Sequence, residues 1–251
     1  MARKRLPSAA GTSSMTILFS IQLSVMDTAT VDPSLPPVKR RYDGGRRRAR
    51  AGEARRRVLD AARRLFLERG YAATTVAALA ADAGVSVESV YKVFGSKARL
   101  VLALFHDAVA GHGSESAELR ADRLSTDESD PRRRLRGFGN LVAEVTPRVA
   151  PLMLLVRAAA QTDAELRDIW EQMLSERLER TAGHARALAD GGHLRPGVTV
   201  DEARDVLWLY NAPEVYELMV IRRQWSPRRF GDWVGKAYVA ALLSDASGSA
   251  V

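Results

Sequence analysis

The sequence predicts an all-α protein in which a small helical module precedes a larger helical unit. Apolar residues recur three or four positions apart through most of the chain, and no segment shows the sustained period-two alternation of a half-buried strand. Residues that cap helices, chiefly Ser, Thr and Gly, stand at the ends of these periodic segments. The length of 251 residues and the hydrophobic content of 46% suit two folded units.

Residues 1–50 are predicted to form a disordered basic N-terminal extension, because they are rich in Ser, Pro, Gly and Arg and lack a helical period. Residues 1–57 contain 13 Lys or Arg against 4 Asp or Glu, a net charge of +9, whereas the rest of the chain is close to neutral. An arginine cluster ends the extension: Arg40, Arg41, Arg46, Arg47, Arg48 and Arg50. Such a segment attracts nucleic acid or an anionic membrane surface, and a solvated tail is the alternative. Deleting residues 1–50 is expected to weaken DNA binding and to flatten its salt dependence by about two phosphate contacts or more.

A moderately apolar run within the extension, Met15–Val25, follows three basic residues and weakly resembles a signal peptide. Polar residues interrupt it, no small-residue cleavage pattern follows, and it is too short to span a bilayer as a helix. Secretion is therefore not expected. A true start at Met15 or Met26 is another interpretation of the same segment.

The first folded unit is predicted at residues 51–111 and begins with two helices. The first helix runs from about Glu53 to Arg69, where Gly70 stands at the C-cap position. The second, Val76–Ala83, has one apolar stripe and ends at Gly84. Threonines precede it and supply its N-cap.

Two further helices complete this unit, and a serine starts each of them. Ser86 caps a helix over Val87–Phe94, and Ser96 caps a helix that continues to about Gly111. Residues 111–130, rich in Ser, Asp, Glu and Gly, are expected to be a mobile acidic connection to the second unit.

The second unit is predicted at residues 131–245. Pro131 begins a helix that Pro147 interrupts or restarts, and an apolar core helix follows. A long helix then runs to about Gly191, another is kinked at Pro213, and Ser226 caps the last.

The two short helices joined at Gly84 form a helix-turn-helix arrangement. Glycine allows the tight turn without a Cβ clash, and Ala80, Val85 and Val90 fill the small core between the two helices. The outer face of the second helix is then free to enter the major groove of DNA, where base edges carry distinct donor and acceptor patterns.

Residues 58–102, VLDAARRLFLERGYAATTVAALAADAGVSVESVYKVFGSKARLVL, closely resemble the N-terminal domain of TetR-family regulators. The matching motifs are LDAARRLF, RGYAATTV, AGVS at the turn and VYKVFGSK after it. The resemblance covers about a fifth of the chain, and the remainder matches the family only in its helical layout. It implies a homodimeric, sequence-specific transcriptional regulator, expected to be a repressor that a small-molecule ligand releases from a palindromic DNA operator.

By position, the resemblance also implies the DNA-binding residues: Thr74, Thr75, Ser86, Val87, Glu88, Ser89, Tyr91, Lys92 and Lys97. The two threonines would contact phosphates, and Tyr91, Lys92 and Lys97 would bind the DNA backbone. Val87, Glu88 and Ser89 would face base edges. Many relatives have His at the position of Val93, so one backbone contact of the family is absent. Arg55, Arg56 and Arg57 contact phosphates or form a solvated helix face.

The second unit is expected to hold the ligand and the dimer interface. Bulky aromatic and thioether side chains suit an apolar cavity, and the candidates are Met153, Trp170, Met173, Trp208 and Tyr210. Ordinary core packing is the alternative for each of them. The family pairs its last two helices into a four-helix bundle, which implies a dimer interface that includes Tyr216, Met219, Phe230, Trp233 and Tyr238.

Other classes of protein are less consistent with the sequence. No Cys is present, the four His residues are scattered, and no phosphate-binding loop occurs, so neither an enzyme nor a cofactor or metal site is expected. The expected partners are double-stranded operator DNA, a second copy of the chain and an unidentified small-molecule effector, without a membrane, in the cytoplasm. An architectural DNA-binding protein without a ligand, a membrane-surface protein and an activator are the alternatives.

Overall fold

The computed structural model describes residues 43–111 and 113–244, and every regular element in these ranges is helical. The helices are α1 (Asp43–Ala73), α2 (Val76–Ala83), α3 (Val87–Phe94), α4 (Lys97–Ala110), α5 (Ala117–Asp127), α6 (Pro131–Ala159), α7 (Ala164–Asp190), α8 (Val200–Tyr210), α9 (Pro213–Tyr216) and α10 (Pro227–Leu242). A π-helical segment, Glu217–Arg222, continues α9. The all-α fold class is confirmed. The apolar run Met15–Val25 and the basic residues Arg40 and Arg41 lie outside the described residues.

Helix α1 begins ten residues earlier than expected, at Asp43 rather than Glu53. Its first turns are exposed and rich in Arg and Ala. Both residue types have high helix propensity, whereas apolar periodicity marks only the part of a helix that is buried. The predicted disorder is therefore wrong for residues 43–50. Gly70, with φ of 78°, ends the regular part of α1 as expected.

The expected mobile connection at residues 111–130 is wrong for Ala117–Asp127, which form α5. The Oγ of Ser116 accepts a hydrogen bond from the backbone N–H of Leu119 at 3.2 Å and caps the helix. Only Ala117 and Ala121 are buried in α5, so its apolar stripe is narrow. Because so few of its residues are apolar and buried, the sequence of this segment lacks the periodic pattern that would predict a helix.

Helix α6 continues through Pro147, where an interruption was expected, and also through Pro151. Each proline removes one backbone donor, which leaves carbonyl groups of the preceding turn to other partners. The hydroxyl of Thr146 donates to the carbonyl oxygen of Val142 at 2.6 Å, and Nη1 of Arg148 donates to that of Glu144 at 3.1 Å. The carbonyl oxygen that Pro147 leaves without its backbone donor is that of Ala143, so these side-chain bonds go to the carbonyl groups on either side of it.

Two apolar cores hold the described helices together. The first contains buried residues of α1 to α4 and also residues of α6 and α7: Val149, Leu152, Met153, Val156, Leu166, Ile169 and Met173. The second is built from α5 to α10 and includes Leu135, Leu207, Tyr216, Phe230 and Tyr238. The first core combines residues of α1 to α4 with residues of α6 and α7. It therefore extends across the domain boundary that was expected between residues 111 and 130.

Helices α6 and α10 cross at very short range because glycines face each other. A Cβ on Gly139 would lie 2.5 Å from the carbonyl oxygen of Gly231 and 2.8 Å from Cα of Gly235. A Cβ on Gly231 would lie closer still to the carbonyl oxygen of Gly139. The backbones thus pack directly on one another at this point.

Helix α8 ends at Tyr210, and Pro213 begins a new helix, α9, rather than kinking a continuous one. Ser226 caps α10 and Pro227 opens it, as expected. Within the described ranges, no helix combines the length and the apolar character needed to cross a membrane.

Candidate DNA-binding surface and ligand cavity

The turn between α2 and α3 is fixed by backbone hydrogen bonds around Gly84. This residue has φ of 64°, its N–H donates to the carbonyl oxygen of Ala81 at 3.2 Å, and the N–H of Val85 donates to that of Ala80 at 3.0 Å. A left-handed conformation of this kind favours glycine. The geometry sets the angle between the two short helices, as the sequence predicted.

Helix α3 presents a continuous exposed face. Val87, Glu88, Ser89, Tyr91, Lys92 and Val93 are all exposed, whereas Val90 and Phe94 are buried against the first core. The Oγ of Ser86 accepts from the backbone N–H of Ser89 at 3.1 Å and lies 2.7 Å from the hydroxyl oxygen of Ser89. The helix is therefore rigidly capped at the end that carries the expected base-reading residues.

The two threonines before α2 have different roles. Thr75 is exposed, and its hydroxyl oxygen accepts from the N–H of Ala78 at 3.1 Å as the N-cap. Thr74 is only 1% exposed, and its hydroxyl donates to carbonyl oxygens of Leu65 and Gly70. The expected phosphate contact is wrong for the Thr74 side chain, because its hydroxyl is used inside the protein.

Lys97, at the first position of α4, lies next to an aromatic ring. Its Nζ is 4.0 Å from the ring centroid of Tyr71, a cation–π distance. Burial lowers the pKa of Lys97, and the charge of Asp163 opposes that effect. The same burial, helped by Asp163 and Glu165, raises the pKa of Tyr71 to about 12.

The arginines of α1 serve more than one purpose. The Nε of Arg57 donates to the carbonyl oxygen of Ala83 at 3.0 Å, and Arg55 lies over the ring of Phe94. Arg57 thus contacts the end of α2 and Arg55 the end of α3, in addition to any contact that they make with DNA. Arg48 and Arg50 are exposed on the first turns of the helix.

A cavity of about 170 Å³ lies between α4, α5, α6, α7, α8 and α10. Its wall is mainly apolar and includes Phe105, Val109, Phe138, Leu141, Val142, Val145, Val149 and Leu207. Three residues of α4 line it, namely Phe105, His106 and Val109. Helix α4, which directly follows the exposed helix α3, is thus part of the cavity wall.

Most polar groups of the cavity wall have partners in the protein. The hydroxyl of Tyr238 donates to the carbonyl oxygen of Leu207 at 3.0 Å, and Thr146 and Thr181 donate to carbonyl oxygens of their own helices. Nδ1 of His184 lies 2.7 Å from Oγ of Ser125. Burial lowers the pKa of His184 to about 4, so this imidazole is neutral at pH 7.

Arg177 differs from these groups because one of its buried donors lacks a hydrogen-bond partner. Its Nη2 donates to the carbonyl oxygen of Trp208 at 3.1 Å and to Oδ1 of Asn211 at 2.5 Å, and its guanidinium lies 5.3 Å from the ring centroid of Trp208. Its Nη1 is buried and has no hydrogen-bond partner. Burial lowers the pKa of Arg177 to about 10, which leaves the group charged at neutral pH.

Two polar pairs stand at the mouth of the cavity. Nη2 of Arg180 lies 2.6 Å from Oε1 of Glu118, which joins α7 to α5. Nε2 of His106 lies 3.0 Å from Oε2 of Glu176, which joins α4 to α7. Entry of a molecule from this side would pass these pairs.

The five residues expected to form the ligand pocket do not line this cavity: Met153, Trp170, Met173, Trp208 and Tyr210. Met153 and Met173 are buried in the first core, and Trp170 packs against it. Tyr210 packs against the second core, while Trp208 contacts Arg177 from outside the cavity wall. Four of the five thus pack in or against the two cores.

Sequence comparison matches residues 58–104 to the model for bacterial regulatory proteins of the tetR family. The probable HTH-type transcriptional regulator ArpR of Pseudomonas putida is 30% identical over 173 residues, which cover 66% of this chain and 80% of ArpR. The chain belongs to the TetR family. It is a DNA-binding transcriptional regulator. The HTH-type transcriptional regulator TtgR, also of Pseudomonas putida, is 40% identical to this TetR-family chain over 86 residues, covering 34% of this chain and 39% of TtgR.

Solved structures have the same fold as this TetR-family chain. NalD, the secondary repressor of the MexAB-OprM multidrug efflux pump in Pseudomonas aeruginosa, gives a TM-score of 0.62 at 21% identity, over 79% of this chain and 100% of NalD. The SmeT–triclosan complex gives a TM-score of 0.60 at 24% identity, over 77% of this chain and 93% of SmeT. Their likeness supports the helical layout described above.

Proposed function

We propose that the chain is a repressor that binds an inverted-repeat operator as a homodimer and is released from it by a small molecule in the cavity. The observation that carries this proposal is the position of α4. One end of α4 follows the recognition helix directly, and Phe105, His106 and Val109 near its other end line the cavity. A molecule that displaces these three side chains would therefore act on the helix that supports α3.

In this proposal α3 reads the operator. Val87, Glu88 and Ser89 face base edges, while Tyr91 and Lys92 contact phosphates. Ser86 and Thr75 contribute the capped N-termini of two helices, which favour phosphate oxygens. Lys97 contacts a phosphate while its ammonium group remains over the ring of Tyr71. The exposed Arg48 and Arg50 extend the basic surface along α1.

Dimerisation through the last helices is supported by exposed apolar side chains. Leu209, Leu218 and Ile221 are each more than half exposed around α8 and the π-helical segment. Tyr216, Phe230 and Tyr238, which the sequence suggested for this interface, are buried within the chain's own second core. The proposed interface therefore uses the exposed residues together with the half-buried Met219 and Trp233.

Release by a ligand follows from linkage between two sites. A ligand weakens operator binding only as far as it prefers a conformation with a different spacing of the two α3 helices. Similar proteins support this proposal: NalD and SmeT are repressors of multidrug efflux pumps, and a structure of SmeT contains bound triclosan. As a regulator that acts on genomic DNA, the protein is placed by this proposal in the cytoplasm.

Selection of genomic fragments on the purified protein, followed by footprinting, tests the DNA-binding part. We expect a protected inverted repeat whose half-sites are one helical turn apart, about 34 Å. Salt-sensitive binding without sequence preference would contradict the proposal. A truncation that removes residues 1–42 is the better test of the basic extension, because deletion of residues 1–50 also removes the first turns of α1.

A thermal-shift screen of small molecules then tests release. Compounds that raise the melting temperature by binding in the cavity should lower operator affinity, since the two equilibria are linked. Replacing Val109 with Trp, which fills the cavity from α4, should abolish the effect of such compounds. If cavity-binding compounds leave operator affinity unchanged, control by a ligand is excluded.

A further inference from the structure

The cavity contains one buried cation within a wall that is otherwise apolar or neutral. His184 is neutral at pH 7, and the hydroxyl groups of Thr146, Thr181 and Tyr238 already donate to carbonyl oxygens. The charged residues Glu118, Glu176 and Arg180 stand at the mouth, where each has a partner of opposite or potentially opposite charge. Arg177 remains the charged group of the inner wall.

The guanidinium of Arg177 has neutral partners only. Its two hydrogen bonds go to a backbone carbonyl and an amide oxygen. Within residues 43–111 and 113–244 no carboxylate forms an ion pair with it. The acidic group whose charge acts on it, Glu214, already pairs with Arg157 at 2.8 Å.

An arginine in this situation is costly unless an anion joins it. A buried charge is normally paired, and a buried donor without an acceptor loses the hydrogen bond it would make in water. Nη1 is such a donor. Guanidinium groups bind carboxylates through strong, charge-assisted hydrogen bonds, which makes a carboxylate the fitting partner for a cavity-lining guanidinium that has only neutral partners.

The shape of the site limits the rest of the ligand. A cavity of about 170 Å³ is close to the size of an engineered apolar cavity that binds benzene, about 150 Å³. Phe105, Phe138 and Val142 offer an apolar surface to a ring, and the volume limits the substituents on that ring to small ones.

We infer that the effector of this protein is an aromatic monocarboxylate, whose carboxylate pairs with the guanidinium of Arg177 in the cavity wall and whose ring packs on Phe105 and Phe138. This inference rests on the proposed function, because it names the ligand class of the same cavity. It assigns to Arg177 the selection of anionic over neutral and cationic ligands. The ring, by contact with Phe105, acts on α4.

Three probes of similar size and different charge test the inference: para-methylbenzoate, para-methylbenzamide and para-methylbenzylammonium. Titration calorimetry on the full chain should show the benzoate binding at least about tenfold more tightly than the amide, with the ammonium weakest. Equal or tighter binding of the amide overturns the inference. Absence of benzoate binding up to about 1 mM also overturns it.

Two variants assign the preference to one side chain. In Arg177→Met the benzoate and the amide should bind within about threefold of each other, whereas Arg177→Lys should keep a preference for the benzoate. A preference that survives in Arg177→Met overturns the assignment. If Arg177→Met does not fold, the wild-type ratio and Arg177→Lys decide the question.

Operator binding in the presence of the same probes separates this inference from the proposed function. Benzoate that binds through Arg177 without releasing DNA would contradict ligand-controlled repression and leave the ligand class intact. Release of DNA by the amide as effectively as by the benzoate would overturn the ligand class and leave the proposed function intact.

Discussion

Oγ of Ser96 donates a hydrogen bond of 2.6 Å to Oε1 of Glu165, which joins the N-terminus of α4 to the first turn of α7. The same Oγ accepts from the backbone N–H of Arg99 at 3.0 Å and caps α4. One serine hydroxyl thus stabilises a helix and links the recognition unit to the helices that follow it.

Replacement of Ser96 by Ala should lower the free energy of unfolding by about 1 kcal/mol, since the N-cap and the bond to Glu165 are lost together. Glu165→Ala removes only the partly exposed bond and should cost about 0.5 kcal/mol or less. Urea denaturation measures both. Equal losses in the two variants would mean that the cap contributes nothing.

The contact between α6 and α10 should not tolerate a methyl group. Gly139→Ala places Cβ 2.5 Å from a backbone oxygen of Gly231, so the helices must separate, and we expect a loss of about 3 kcal/mol. Gly183→Ala is the matched control, because Gly183 is exposed in α7 and has no neighbour within 4 Å of its added Cβ. It should stabilise the protein by about 0.5 kcal/mol. Similar behaviour of the two variants in denaturant would refute the close crossing.

Lys92 is expected to contribute affinity without selectivity. Lys92→Ala should weaken binding to the operator and to unrelated DNA by a similar factor, and should reduce the log–log salt slope by about 0.9. Lys236→Ala, which removes an exposed lysine from α10, should change neither quantity. Fluorescence anisotropy at several salt concentrations provides the measurement. An unaltered slope in Lys92→Ala would place this side chain away from phosphate.

His184 should make stability depend on pH. Burial lowers its pKa from 6.5 to about 4, so between these values the unfolded chain binds more protons than the folded one. Stability should therefore fall as the pH decreases through this window, by up to about 3 kcal/mol from this residue. His184→Gln should remove that part of the loss, and His193→Gln should not. Parallel pH profiles for the wild type and His184→Gln would contradict the assignment.

Local signals in the sequence were sufficient for α2, α3 and the start of α4. The caps at Ser86 and Ser96 and the turn at Gly84 depend on bonds between residues three to five apart, so residue type and spacing predict them. Thr74 shows the limit of this approach. Its hydroxyl reaches back to Leu65, and adjacent threonines look alike until the first core is assembled.

The cavity depended on tertiary structure that the sequence indicated only weakly. Arg177 and Thr181 follow Met173 at intervals of four residues, so polar residues replace apolar ones along the buried stripe of α7. That interruption was the available signal for a cavity. Met173, which was expected in the ligand pocket, lies where this stripe is still apolar, a position typical of core packing. The glycines of α6 and α10 become informative only when the two helices are seen to cross.

The sharing of the first core between α1–α4 and α6–α7 has a consequence for protein engineering. A fragment that ends after α4 would expose the apolar surface that Leu152, Met153 and Val156 cover. Exchange of sensing halves between related regulators at a junction near residue 111 would pair two surfaces that were not selected for each other. A chimera with junctions at Ser86 and Gly95 that exchanges α3 and retains Val90 and Phe94 would keep the shared surface intact and should redirect the protein to another operator.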